Sequence, residues 1–304
     1  MRISGMTIFC GLAVTGLLWL PRAAESQPQA TQSGPDNGGY LSYLPVPARA
    51  SGEEAGWVPE YPDEPRPTPR FPDGRVNLDA IPGEKGFWNV MRGAAFGTRP
   101  PALSTNLDLA DVPFQTWARD LFDYRRSNEG DLYDPHAFCK PAGGMRFFTV
   151  PNGLNIVQQP ELNRIFLISG ENRDWRRIAL EPGRKHPPAD EIVPSYFGDS
   201  IGWWDGDTLV VDTVGFNERF WMIRGGLPHT RNLHLIERFT RADYATLRYE
   251  FTIDDPGAYT KPWSGGWEIP WQTVNYDESP GGEIHEYFCS DNERDSEHFL
   301  DLTE

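Results

Sequence analysis

Downstream of Cys139 the chain alternates apolar and polar residues in short runs separated by turn residues. These runs are Met145–Val150, Leu154–Gln158, Arg164–Ser169, Asp174–Leu180, Ser200–Trp204, Asp207–Val214, Leu233–Thr240, Thr246–Asp254, Trp267–Tyr276 and Glu283–Cys289. A period of two sends successive side chains to opposite faces, so each run predicts a half-buried strand. No helical pattern separates them, which predicts a mainly β, antiparallel meander. To hide its edges the meander must close into a barrel or a strongly curved, lipocalin-like sandwich.

Two runs show the facing most clearly. In one, His234, Ile236 and Arg238 share a side, opposite Leu233, Leu235, Glu237 and Phe239. In the next, Leu247, Tyr249, Phe251 and Ile253 oppose Arg248, Glu250, Thr252 and Asp254. The polar face is wet in a sandwich and is the lumen in a barrel that encloses a ligand. Asp205-Gly206, between two β-prone runs, predicts a two-residue type I′ turn. That register sets Trp204 opposite Asp207, Ile201 opposite Val210 and Asp199 opposite Asp212.

One amphipathic helix is predicted N-terminal to the strands. It starts after Asp111 as N-cap, with Pro113 in the first turn, and Phe114, Trp117, Ala118, Leu121, Phe122 and Arg125 form its docking stripe. Before it, residues 1–26 read as a signal peptide: a basic start, an apolar run from Met6 to Leu20, and a small-x-small site at Ala24-Glu25-Ser26. The run is short of the roughly 18 residues of a membrane span, so no transmembrane anchor is expected. Residues 27–82 are crowded with Pro, Gly and charge and read as an extended leader. Residues 83–304 are then a single β-rich domain.

Loss of Arg2, Arg22 and Glu25 with the signal peptide takes the net charge from −16 to −17. Such acidity argues against nucleic acid as a partner and mildly favours neutral or cationic ligands. Only Cys139 and Cys289 remain after processing. A disulfide between them is the economical pairing in an oxidising periplasmic or secreted location, two buried thiols being the alternative.

The blocks Asp199-Ser-Ile-Gly-Trp-Trp-Asp-Gly-Asp-Thr-Leu-Val-Val-Asp-Thr-Val-Gly-Phe-Asn217, Pro228-His229, Leu233-His-Leu-Ile-Glu-Arg-Phe239 and Thr252-Ile-Asp-Asp-Pro-Gly-Ala-Tyr-Thr-Lys-Pro-Trp263 come in that order. The string resembles a family of exported bacterial proteins, many of them uncharacterised, over about Phe114 to Asn292. The resemblance implies export and brings no activity with it. Where that family's motif often has His before Ser200, this chain has Asp199.

Chemistry is sought among six histidines and the carboxylates. His229 or His234 is the expected base, Asp212 or Asp199 its acid or orienting partner, and Arg238 the stabiliser of developing negative charge. A directly opposed Asp199–Asp212 pair must be screened by water, neutralised by a cation, or share a proton. Trp203, Trp204, Tyr196, Trp263 and Glu237 are the expected substrate-binding residues. Neither a GxSxG elbow, nor a Walker loop, nor a compact metal-ligand spacing is present, so no cofactor and no metal are expected.

The expectation is a periplasmic or secreted β-barrel-like enzyme. It would act on a small organic or carbohydrate ligand by elimination, isomerisation or hydrolysis. The alternatives are a non-catalytic, lipocalin-like binder of a small molecule or glycan, and an envelope interaction protein tethered by its leader.

Overall fold

The strand-forming runs hydrogen-bond in sequence order around a ring. The structure is a computed structural model and describes residues 66–90, 111–127, 133–150, 153–172, 174–273, 282–285 and 287–289. These lie within one compact unit, Val58–Glu304. The strands are β1 (Phe87–Trp88), β2 (Leu154–Gln159), β3 (Arg164–Ser169), β4 (Trp175–Ala179), β5 (Asp199–Asp205), β6 (Thr208–Val214), β7 (His234–Arg241), β8 (Thr246–Asp254) and β9 (Trp263–Gln272). β9 pairs back onto β1, which closes the barrel.

All neighbours are antiparallel except β4 and β5, which run parallel and meet at a single rung, Ala179↔Ile201. This corrects the expectation of a wholly antiparallel meander. A parallel neighbour cannot be reached through a tight turn. The chain therefore crosses between β4 and β5 through residues 180–198 before entering β5.

The apolar side of the alternating runs is the interior. Leu235, Phe239, Tyr249, Phe251, Ile253, Trp267 and Ile269 are almost fully buried. His234, Arg238, Glu250 and Asp254 lie on the outer side of the same strands, half-buried. Met145–Val150 is not a strand: Gly144–Phe148 is a 3-10 turn whose residues are all buried. It brings Phe148 against Tyr249 and Phe239, with ring centroids 4.3 and 5.3 Å away. A run buried on every side carries no period of two, which is why its strand-like composition misled. Rings fill the interior, and truncating one such as Phe148 would cost about 3–5 kcal/mol.

The helix, α1, spans Thr116–Ser127 and starts later than predicted. Phe114 is held in a β-bridge to Tyr259 and the Gln115 N–H donates to Ala258, so both backbones are committed outside a helix. Ala118 and Phe122 are its buried positions, and Phe122 stacks on Phe114 at 5.3 Å. Among the described residues no helix is long and apolar enough to cross a membrane. The segment 66–82 packs on the barrel: Leu78 is fully buried, and its carbonyl accepts from Trp88 Nε1 at 2.7 Å. Cys139 and Cys289 form a disulfide with Cα atoms 5.4 Å apart. The predicted strand Glu283–Cys289 has no strand among its described residues, and β9 ends at Gln272. The predicted signal peptide and residues 27–65 lie outside the described residues.

Candidate functional site

The β5–β6 hairpin decides which groups meet. Its register is Asp205↔Thr208, Trp203↔Val210, Ile201↔Asp212 and Asp199↔Val214, so the two turn residues are Gly206 and Asp207. Gly206 has φ of 62° while Asp205 and Asp207 have none in the left-handed region, the pattern of a turn with glycine first rather than of type I′. The predicted register is thus corrected by one residue on each strand. Asp199 and Asp212 keep the same outer face but stand diagonally rather than directly opposite.

The crossover supplies what separates these two carboxylates. His186 lies between them, Nδ1 at 2.8 Å from Asp199 Oδ2 and Nε2 at 3.2 Å from Asp212 Oδ1. Arg184 Nη2 donates to the other oxygen of Asp199 at 2.5 Å. On the far side, His234 Nε2 lies 2.7 Å from the same Asp212 Oδ1. The result is a continuous row on the outer barrel wall: Arg184, Asp199, His186, Asp212, His234. The His186 ring thus spans the two carboxylates, one at each nitrogen.

Burial pushes the Asp212 carboxyl up, but the two imidazoles outweigh it and hold it below the usual carboxylate range. The hydrogen bond to Asp212 raises His234 above the ordinary imidazole value, against a smaller opposing effect of burial. The His234 side chain is 36% exposed, and among the described residues nothing bonds its Nδ1. An oriented imidazole with a nitrogen free of such bonds is able to take or give a proton.

Beside this row the wall opens. Below the single rung, β4 and the approach to β5 part to leave a cleft of about 430 Å³ lined by Asp174, Trp175, Arg176, Arg177, Phe197, Gly198, Asp199 and Ser200. Gly198 has φ of 63°, and a side chain there would press on the Val214 carbonyl at 2.4 Å. Arg176 and Ser200 reach the cleft from the interior, where they belong to a buried network. Arg176 Nη2 donates to Glu237 at 2.5 Å and to Thr213 at 2.6 Å, and its Nε donates to Ser200 at 3.0 Å. The Tyr249 hydroxyl donates to the second Glu237 oxygen at 3.0 Å.

Of the residues expected to act, Asp199, Asp212 and His234 are brought together. His229 is not among them: it is buried against the Phe220 ring, its nitrogens 3.1 and 3.2 Å from the carbonyls of Phe220 and Thr230. Desolvation lowers its pKa, as expected for an imidazole held in the core. Arg238 shares the outer face but is paired with Asp205 at the hairpin end, 2.8 Å away.

The expected substrate-binding residues are scattered. Trp203 is 48% exposed on the outer face, while Trp204 packs against the core and Tyr196 packs on Phe220. Trp263 and Glu237 are interior. Sequence reasoning missed Arg184, His186 and Asp174. The signal for the first two was the long polar stretch between two strands, since connections beyond roughly 12–15 residues are commonly functional. No family model, no curated protein and no solved structure matches the chain.

Proposed function

We propose that this protein is an exported enzyme acting on a small organic or carbohydrate molecule by acid–base chemistry. The observation that carries the reading is the row Asp199–His186–Asp212–His234 beside an open cleft. Carboxylates that orient imidazoles, one of them accessible, are what proton transfer to and from a bound molecule requires. Asp212 fixes the His234 ring and stabilises its charged form. Arg177 on the cleft wall and Arg184, which holds Asp199, are the cations that would meet developing negative charge, in place of Arg238 at the hairpin end. Export rests on the signal-peptide pattern and agrees with a disulfide in the fold.

A lipocalin-like carrier is the weaker reading, because aromatic rings and the buried 3-10 turn occupy the barrel interior. The test is product analysis with a pooled set of glycosides and aromatic metabolites. Any turnover found should fall by about 10²–10⁴ in His234→Ala with the fold intact, the usual contribution of a positioned acid or base. Activity within a few-fold of the parent would defeat the assignment.

A further inference from the structure

The disulfide and the cleft meet at one turn. β3 ends at Ser169 and β4 begins at Trp175, and the loop between them contains Glu171, Asn172 and Asp174. The Ser169 N–H donates to the Asp174 carbonyl and the Asp174 N–H to the Glu171 carbonyl, both at 2.9 Å. Asn172 has a φ of 50°, a left-handed conformation that a residue with a side chain seldom holds without support.

Both halves of the disulfide supply that support. On the first side, Cys139 ends the 3-10 turn Pro135–Phe138, its N–H directed to the Pro135 and His136 carbonyls. From this turn His136 Nε2 lies 3.3 Å from Glu171 Oε1, and just beyond it the Ala142 N–H donates to Asp174 Oδ2 at 3.0 Å. On the second side, the Cys289 N–H itself donates to Asn172 Oδ1 at 3.1 Å. The S–S bond joins these two segments across a separation of 150 residues, so each grip on the turn backs the other.

The wall that follows the turn needs this backing. Asp174, Trp175, Arg176 and Arg177 line the cleft. A strand inside a sheet has a ladder on each side, but Trp175, Arg176 and Arg177 have one to β3 alone, the β5 rung lying farther on at Ala179. Arg176 is fixed from within by its bonds to Ser200, Thr213 and Glu237. Ahead of it, the Asp174–Trp175 end has the last β3 rung, Trp175↔Ile168, and then the turn.

We propose that the Cys139–Cys289 disulfide is a redox-sensitive clamp that sets the Asp174–Trp175 wall of the cleft. Both cysteines are half-buried at the surface, within reach of a dithiol reductant. One thiolate of the reductant bonds to a cystine sulfur as the S–S bond breaks, and its second thiolate then displaces that sulfur. The reductant leaves as a disulfide, and Cys139 and Cys289 take up two electrons and two protons between them. The 3-10 turn and the Cys289 segment then lose their common anchor. The turn is released while the β6–β8 ladders stay whole. The cleft is thus complete only in a compartment that oxidises thiols. This clamp does not depend on the acid–base chemistry proposed above.

The test is nitrogen-15 relaxation on the full chain, oxidised and after reduction with dithiothreitol. In the oxidised protein the amides of Glu171, Asn172, Asp174 and Trp175 should have order parameters of about 0.85, and reduction should bring them below about 0.6 with β6–β8 unchanged. Because reduction also removes a cross-link, Asn172→Gly combined with His136→Ala is the second arm. It keeps the S–S bond, cuts a contact from each half of it, and puts at 172 a residue that accepts the φ of 50°. Asp174 and Trp175 should lose order in this variant as they do on reduction. A reduced, folded protein that keeps its order over 171–175 would overturn the clamp, and so would an equal loss of order in β6–β8. If the reduced chain unfolds, the double variant decides: loss of order at Asp174 and Trp175 supports the clamp, and unchanged order refutes it.

Discussion

The buried pair of Arg176 and Glu237 offers the sharpest energetic test of the interior. Glu237 has no exposed surface and receives Arg176 on one oxygen and the Tyr249 hydroxyl on the other. Glu237→Gln keeps the shape and one carbonyl oxygen for the guanidinium. The tyrosine hydroxyl can turn to accept from the new amide, so the change removes a charge and little else. It strands a guanidinium inside the barrel, for which the expected cost is about 3–5 kcal/mol. With an m-value of about 3 kcal/mol/M in urea, the midpoint should fall by roughly 1 to 1.7 M. Replacing both members, as Arg176→Met with Glu237→Leu, removes both charges. Ser200 and Thr213 still bond each other at 3.0 Å, so the main residual penalty is the Tyr249 hydroxyl, about 1–3 kcal/mol. The double variant should therefore unfold at higher urea than Glu237→Gln alone. A midpoint shift under about 0.3 M for Glu237→Gln, at m near 3 kcal/mol/M, would refute this account of the interior. So would a double variant less stable than the single one.

Further outcomes follow from geometry elsewhere. Peptide mapping of the unreduced protein should recover Cys139 and Cys289 linked, and reduction should cost about 5 kcal/mol in the chain-entropy model for a separation of 150 residues; free thiols on non-reducing alkylation would exclude the bridge. NMR titration should place the His234 imidazole above its ordinary value of 6.5, and Asp212→Asn should bring it down. Because that folded-state value is raised, its contribution to stability is complete below about 6.5 and is lost as pH rises through the folded value. Asp212 acts in the opposite sense: its value is depressed, so its contribution is present above about 3.8 and is lost as pH falls through the folded value. A pH–stability profile that Asp212→Asn leaves unchanged would contradict both. Gly206→Ala, with open space around the new methyl but a φ of 62°, should lower thermal stability by about 1 kcal/mol; no change would mean that the turn does not require a left-handed residue there.

What was legible in the sequence was whatever has a period. β7 and β8 show alternation, and their buried and half-buried residues follow it without exception. The face of Asp212 and His234 was legible for the same reason. The hairpin turn was visible, but Asp-Gly-Asp offers two adjacent two-residue turns. The choice fell on Gly206-Asp207 because only the glycine need then adopt a positive φ. His186 and Arg184 belong to a crossover with no period at all. Their partners are 13 to 26 residues away, so nothing local announced them. Asp174 is marked by the loss of solvent around it, a property of the fold that the residue's neighbours in sequence do not carry.

The single parallel step between β4 and β5 has a cause in arithmetic. Strand direction reverses at every antiparallel step, so a ring made only of such steps returns to its starting direction after an even number of strands. This ring has nine, and the direction must be kept once. The fault cannot be mended by changing side chains, because it is a matter of parity. Residues 175–177 and 197–199 border it and contribute no rung between β4 and β5. No backbone rung crosses the opening there, Arg176 Nε ties it to Ser200, and the remaining ladders keep the barrel shut. At the opening the exposed Trp175 and Arg177 can thus be exchanged according to what enters it, at little risk to the fold that Arg176 and Gly198 secure behind them.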